Sequence, residues 1–325
     1  MLLEIPIGPN DAGQRAERFL RRYFPHVGLS RLQSLFRRKE IKIAKRPVER
    51  GHLLQPGDVL QVYGLKPEEA TRPDSFHPDV VAGDPVPSVY EGDELLVVNT
   101  PAGVASHPGT GIAPGASLIE RVHAQLGSQA QWSGELFSPS LVHRLDKETS
   151  GVLLIAKTGP RLRNLVAALR EGQIRKRYLA LVVGHPKPSS GTIDAPLERE
   201  DSASGAKSLV AEEGGSRAVT HYKTIQKLGA YSLLQVVIET GRMHQICAHL
   251  SHLGHPLVGD TRYDKPATAR EHMRELGIKR LFLHAEEVSW EEGGRTRTFN
   301  APMPEELQAV VERFSSPHPF APSPF

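Results

Sequence analysis

The sequence predicts an α+β fold in two parts, and three observations predict it. Short aliphatic and β-branched runs bounded by turn residues, such as residues 95–99 and 152–156, read as buried strands, and 3.6-residue apolar stripes between such runs read as helices. At 325 residues the chain exceeds one ordinary domain, so a large domain with a sizeable core and a smaller companion are expected. Charge divides the chain in the same way. Positions 12–52 hold 12 Lys/Arg against 3 Asp/Glu, a local +9, which leaves −6 for the rest of a chain of net charge +3. A compact basic module on a mildly acidic body is the electrostatic footprint of nucleic-acid binding.

Composition narrows the class further. Apolar residues make up 39% of the chain, as in soluble globular proteins, and no apolar run approaches the ~20 residues of a membrane span. The first residues lack both the basic start and the long apolar centre of a secretory signal, so a cytoplasmic location is expected. The single cysteine, Cys247, excludes an internal disulfide and any site built from several thiolates. Structural zinc is not expected.

In the basic module, Ala16, Phe19, Leu20 and Tyr23 repeat as one helical stripe, while Arg15, Arg18 and Arg22 collect on another face. Ser30, with Gln33 three residues on, has the spacing of a capping box and predicts the start of a second helix, whose apolar face is Leu32, Leu35 and Phe36. Arg31 and Arg38, two turns apart, point outward together. Residues 41–43 and 59–62 read as short strands, with turns at Lys45-Arg46-Pro47 and Pro56-Gly57-Asp58. Proline-rich residues 64–87 read as a linker that would tether the module.

The large domain opens with a strand over 95–99 and a loop-rich segment, Thr100-Pro101-Ala102-Gly103 and Ser106-His107-Pro108-Gly109. Gly109-Thr110-Gly111 lacks the Lys-Ser/Thr of a phosphate loop, so nucleotide binding is discounted. A helix follows over 117–126. The polar nonapeptide from His143 to Gly151 then runs into the aliphatic strand at 152–156, and so delivers an imidazole, a guanidinium, a carboxylate and two hydroxyls to one end of a sheet. Asp146 alone reads equally as a turn-former bonding local amides. A helix is expected over 161–170, then a strand over 175–184 entered through Arg175-Lys176-Arg177-Tyr178. Residues 196–215 suggest a long hairpin or mobile loop, and 217–222 and 231–239 suggest strands. Strands near 281–285 and 298–299 and a helix opening at Pro304 complete the domain, and four prolines after Ser316 suggest disorder. His244, His249, His252 and His255 lie near Cys247, yet no spacing gives His-Glu-x-x-His and no carboxylate lies among them. No metal site is expected.

His143-Arg144-Leu145-Asp146, two variable residues, and Thr149-Ser150-Gly151 resemble the central motif of the RluA-type family of pseudouridine synthases. Pro101-Ala102-Gly103, Lys176-Arg177-Tyr178, Ala218-Val219-Thr220-His221-Tyr222, the stretch from Thr240 to Leu250 and Leu283-His284-Ala285 are similar to that family's other motifs. Residues 12–63 resemble the small RNA-binding domain of the alpha-L type. The resemblance implies a catalytic domain at 88–314 built on a mixed, largely antiparallel sheet with flanking helices and a central RNA cleft. Ahead of it would lie an alpha-L-type module at 1–63 and the linker at 64–87, and after it a disordered tail at 315–325. It also implies isomerisation of specific uridines in structured RNA, expected here to be large-subunit ribosomal RNA, by a monomer without metal or organic cofactor.

By position in the motifs, Asp146 is the implied catalytic carboxylate, and Tyr178 the ring that stacks on the target base. Arg144 is the group that fills the vacancy left in the RNA helix. His143, Lys176, Arg242 and His244, with Arg31 and Arg38 on the module, are the other implied RNA contacts. Two departures stand out. Thr100 replaces a Lys before Pro-Ala-Gly, and Cys247 replaces an Arg that pairs with the catalytic Asp. A thiol supplies neither charge nor a two-pronged donor, so Arg242 or Arg144 is expected to compensate in part, with slower turnover otherwise. The alternative is an RNA-binding or folding factor that keeps the cleft without turnover.

Overall fold

The computed structural model describes residues 2–70, 85–127, 136–201 and 206–315. Its apolar side chains gather into an N-terminal core and, on opposite faces of one broad sheet, a larger and a smaller cluster. The N-terminal core is enclosed by β1 (Leu2–Pro6), α1 (Ala16–Tyr23), α2 (Leu29–Arg37), β2 (Ile41–Ile43), β3 (Arg46–Pro47) and β4 (Val59–Tyr63). Its sheet runs in the order β1-β4-β2-β3. The two predicted apolar stripes are its filling: Ala16, Phe19 and Leu20 from α1 and Leu32, Leu35 and Phe36 from α2 are all buried.

Three expectations are corrected here. First, α2 begins one residue before Ser30, with Gly28 at the N-cap position and no side-chain cap, and Gln33 Nε2 instead donates to Glu17 Oε1 at 3.3 Å, tying α2 to α1. Second, β1 lies outside the predicted elements, yet it pairs antiparallel with β4 along its whole length. Third, the segment expected to be a linker over 64–87 is packed at both ends. Leu65 is fully buried in the module core, Glu69 accepts an ion pair from Arg31 at 2.6 Å, and Val86 belongs to the core of the large domain. Residues 71–84 lie outside the described residues. The β2–β3 turn is made by Ala44 and Lys45, at φ 47° and 65°, the positive values a two-residue hairpin demands.

The large domain follows in order as β5 (Ser88–Glu91), β6 (Leu95–Thr100), α3 (Leu118–Leu126), β7 (Ser140–Leu141), β8 (Ser150–Ala156), α4 (Gly159–Arg170) and β9 (Arg175–Val183). Then come β10 (Ser190–Asp194), the hairpin β11 (Leu197–Glu200) and β12 (Lys207–Val210), β13 (Val219–Leu228) and β14 (Tyr231–Ile238). The last elements are α5 (Gln245–His252), α6 (Pro266–Leu276), β15 (Leu283–Glu292), β16 (Arg295–Asn300) and α7 (Glu305–Ser315). The main sheet runs β10-β13-β14-β9-β15-β8-β6-β5, with β16 beside β15 and β7 beside β8. Every pair in it is antiparallel except β8 with β15, so the sheet is mixed and largely antiparallel.

The alternation along β9 explains the two faces. Tyr178, Ala180 and Val182 join one cluster, while Leu179 and Leu181 meet Leu276 and Leu307 in the other. β8 has neighbours on both sides and is buried along all seven residues, which is why its sequence from Val152 to Ala156 is an unbroken apolar run. α6 lies outside the predicted elements, although Pro266 in its first turn and Gly277 at φ 73° after its last are ordinary helix boundary signals. The expected tail at 315–325 lies outside the described residues beyond Ser315, the last residue of α7. Among the described residues, no helix is long and apolar enough to cross a membrane.

Register places the loop that carries Asp146. Thr100, Gly151, Ala285, Tyr178 and Val236 are successive partners across β6, β8, β15, β9 and β14. Tyr178 therefore stands two strands, about 10 Å, from the point where the nonapeptide enters β8. At that point Gly151 has φ 125°, and a Cβ there would collide with the Ala285 carbonyl. A left-handed residue with no room for a side chain makes Gly151→Ala an expected loss of about 3 kcal/mol. Urea unfolding measures it, and a loss below about 1 kcal/mol would show that β8 and β15 can separate locally without harm.

Candidate active site

The loop before β8 is fixed by its backbone. Thr149 N donates to Asp146 O at 2.9 Å and closes a turn, while Gly103 N donates to Lys147 O at 2.7 Å. Ser106 holds the residue before Asp146 twice: its Oγ donates to Leu145 O at 2.7 Å and accepts from Leu145 N at 3.2 Å. On the other side, Arg280 Nη2 donates to Ser150 Oγ at 2.8 Å and Leu283 O at 3.1 Å. His284 Nε2 donates to Ala301 O, so its Nδ1 is the acceptor for Ser150 Oγ at 2.9 Å. Asp146 thus sits between two anchored residues, and its carboxylate has no hydrogen-bond or ion-pair partner among the described residues.

That carboxylate borders a cleft of about 380 Å³. His143, Arg144, Lys176, Tyr178 and Arg242 border it too, so six of the residues singled out from sequence meet in one place. Tyr178 and Lys176 are both buried, although the basic cluster that opens β9 reads from sequence as an exposed, RNA-facing start. Arg177 beside them is engaged by Glu286 and Glu287, each at 2.8 Å. Arg242 is aimed by Gln245, which uses its whole amide. Its Oε1 accepts from Thr240 Oγ1 and Arg242 N, and its Nε2 donates to Val219 O and Thr220 Oγ1.

Burial keeps the neighbours of Asp146 neutral. His143 is pushed down to about 3, first by burial and then by the Lys176 charge, and its Nε2 accepts from Leu154 N at 3.3 Å. An imidazole that receives a strand amide braces the loop. Burial, then the Asp146 charge, pushes the Tyr178 phenol up, so its hydroxyl keeps its proton. Burial also raises the Cys247 thiol, reinforced by the charges of Asp260 and Asp146. His244 is lowered chiefly by burial, and its Nε2 accepts from Arg262 Nη1 at 2.9 Å. Lys176 is lowered to about 8 by burial alone.

Cys247 lies in the first turn of α5, between the cleft and a second cavity of about 390 Å³ that Asp146, Asp260, Arg262 and Arg280 also border. Neither arginine expected to compensate pairs with Asp146. Arg242 Nε donates to Arg217 O at 3.0 Å, and Arg144 has no ion pair with Asp146. His244 borders the second cavity and caps α5 at φ 50°, so it orients the loop. Thr100 is buried, with its Oγ1 on Pro101 O at 3.4 Å, and borders neither of these two cavities. Arg31 and Arg38 stay on the module, paired with Glu69 and Glu40 at 2.6 and 2.7 Å. Among the described residues, no group of three or more His, Cys, Asp or Glu is placed to hold a metal ion. His249 shows why: Nε2 donates to Ala195 O and Nδ1 accepts from Thr220 Oγ1.

Sequence reasoning missed Ser106, Gln245, Arg262 and Arg280 as organisers of the site. No local signal distinguished Ser106 or Arg280, which stand beside His107 and Lys279 as ordinary polar residues.

The fold has a counterpart among solved structures. The solved structure titled human RNA pseudouridylate synthase domain containing 4 aligns with a TM-score of 0.56 at 23% identity, covering 70% of this chain and 93% of that one. Sequence comparison then goes further. A family model described as RNA pseudouridylate synthase matches residues 94–252. Ribosomal large subunit pseudouridine synthase C of Vibrio vulnificus is 36% identical over 315 residues, 95% of each chain. Ribosomal large subunit pseudouridine synthase D of Zymomonas mobilis is 37% identical over 231 residues, 70% of this chain and 72% of its own. The chain belongs to the RluA-type family of RNA pseudouridine synthases and is an isomerase that acts on RNA.

The double bond of Ser106 to Leu145 predicts a measurable cost. Ser106→Ala strips the partner from a buried amide and carbonyl, and should lower stability by about 1–3 kcal/mol in denaturant unfolding. Equal stability of the two proteins would mean that water replaces the hydroxyl.

Proposed function

We propose that the protein isomerises uridines of large-subunit ribosomal RNA in the cytoplasm, with Asp146 as the catalytic carboxylate. One observation carries this: the free carboxylate of Asp146 and the protonated hydroxyl of Tyr178 border the same cleft, and Glu239, the other acid bordering it among the described residues, is paired with Arg217 and His221. The substrate reading rests on the names of the relatives.

The chemistry follows from those groups. The target uridine leaves its stack, which costs a few kcal/mol, and Arg144, exposed at the mouth of the cleft, fills the space it vacates. Tyr178 stacks on the uracil. With Asp146 attacking either the ribose or the ring, the bond from C1′ to N1 breaks, the base turns, and C5 bonds to C1′. N1 gains a proton and C5 loses one, so atoms balance without an added reactant. Lys176 and Arg242 hold the flanking phosphates, while neutral His143 and His244 keep the two loops in place.

Three variants test the reading on transcribed large-subunit ribosomal RNA, with pseudouridine mapped by position. Asp146→Asn should reduce turnover about 10³-fold while RNA binding persists. Retained turnover would remove Asp146 from the chemistry. Cys247→Arg would place a guanidinium beside Asp146 and Asp260, with the second cavity to receive it, and should raise kcat about tenfold. An unchanged kcat would show that the carboxylate is already well aimed. Lys176 is charged below about pH 8 and neutral above it, so RNA affinity should fall as pH rises through 8. Lys176→Arg should abolish that fall, because a guanidinium stays charged throughout; a variant with the same fall would assign it to another group.

A further inference from the structure

The module is docked on the large domain, and the join forms a basic groove. Gly159 N donates to Asn10 Oδ1 at 3.0 Å, and a Cβ on Gly159 would overlap the Asn10 backbone. Leu136 N donates to Asp11 Oδ2 at 2.7 Å, Arg22 Nη2 donates to Leu136 O at 2.6 Å, and Leu136 packs on the module core. Between α1 and α4 this leaves a groove of about 750 Å³ bordered by Arg15, Arg18, Arg21, Arg22 and Arg163. Among the described residues its one bordering acid, Glu17, is engaged by Arg50 at 3.0 Å. The side chains of Arg15, Arg18 and Arg21 are exposed and have no hydrogen-bond or ion-pair partner among the described residues.

α4 joins this groove to the catalytic cleft. Leu162, Arg163 and Val166 border the groove, and Leu169 and Arg170, further along the same helix, border the cleft. Arg163 and Arg170 are two turns apart on one face, about 10 Å along the axis. At ~3.4 Å of rise per nucleotide along a helical strand, that is a reach of about three nucleotides.

We propose that the groove binds RNA backbone phosphates about three nucleotides from the uridine in the cleft, with Arg15, Arg18 and Arg21 as the principal contacts and α4 as the ruler between the two sites. The three-nucleotide spacing rests on the function proposed above; phosphate binding in the groove does not. Arg31 and Arg38, each already paired with an acid, contribute little.

The experiment measures binding of a transcribed large-subunit ribosomal RNA fragment at several NaCl concentrations, in the Asp146→Asn background so that turnover plays no part. Arg18→Gln/Arg21→Gln should lower the slope of log affinity against log salt by about 2, one unit for each phosphate left without its arginine. In the active enzyme the same pair should raise KM about tenfold with kcat held within about twofold. Arg18→Lys/Arg21→Lys should restore most of the slope. An unchanged slope in the glutamine variant, with the unfolding midpoint also unchanged, overturns the proposal. So does a larger effect from Arg31→Gln/Arg38→Gln. If wild-type protein forms no pseudouridine and the groove variant still shows the smaller slope, the proposed function fails and the groove stands.

Discussion

The site depends on a carboxylate that is free while the peptide beneath it is fixed. Ser106 holds Leu145 on one side of Asp146, and Arg280 with His284 holds Ser150 on the other. Each of these bonds supplies only about 1 kcal/mol net, but each also satisfies a backbone or hydroxyl group that would be costly to bury alone. The stored benefit is positional. With its Cα fixed from both sides, the carboxylate is placed before a substrate arrives, although no cation aims it.

Electrostatics sorts the cleft in the same sense. The imidazoles of His143 and His244, the phenol of Tyr178 and the thiol of Cys247 are all kept neutral by burial, although they stand within reach of a charge. Asp146 is left facing a mouth of permanent cations, Arg144 and Arg242, and one conditional cation, Lys176. An anionic polymer is attracted to that mouth while the wall around the base offers donors and apolar surface without competing charge. Cys247 fits this scheme: its thiol, near both Asp146 and Asp260, is neutral, and it leaves the two carboxylates without a shared cation.

Much of this is legible in the sequence because the chemistry travels in short segments. His143 to Gly151, Lys176 to Tyr178 and Thr240 to Gln245 each announce themselves locally, and β8, β9 and β14 pull them into one cleft. What local pattern does not show is tertiary satisfaction. Ser106 and Leu145 are 39 residues apart, and Arg280 and Ser150 are 130 apart. The outward direction of Arg31 and Arg38 is readable, but not the acids waiting for them at Glu69 and Glu40. The proline content of residues 64–87 reads as a tether, yet Leu65 and Val86 are core residues, because a single apolar side chain can dock a segment whose average composition is that of a linker.

The distribution of the module's acids explains why its charge matters in one direction only. Glu17, on the groove, and Glu40, away from it, are occupied by Arg50 and Arg38, so the local excess of positive charge falls on Arg15, Arg18 and Arg21. Holding these beside Arg22 and Arg163 carries a repulsive cost that the docking bonds of Asn10, Asp11 and Leu136 must offset. A polyanion in the groove reverses the sign of that cost, and by linkage whatever binds the docked form strengthens docking. On the proposed reading, recognition of RNA by the module and its alignment with α4 are one equilibrium, which would tie the choice of uridine to the distance that a single helix spans.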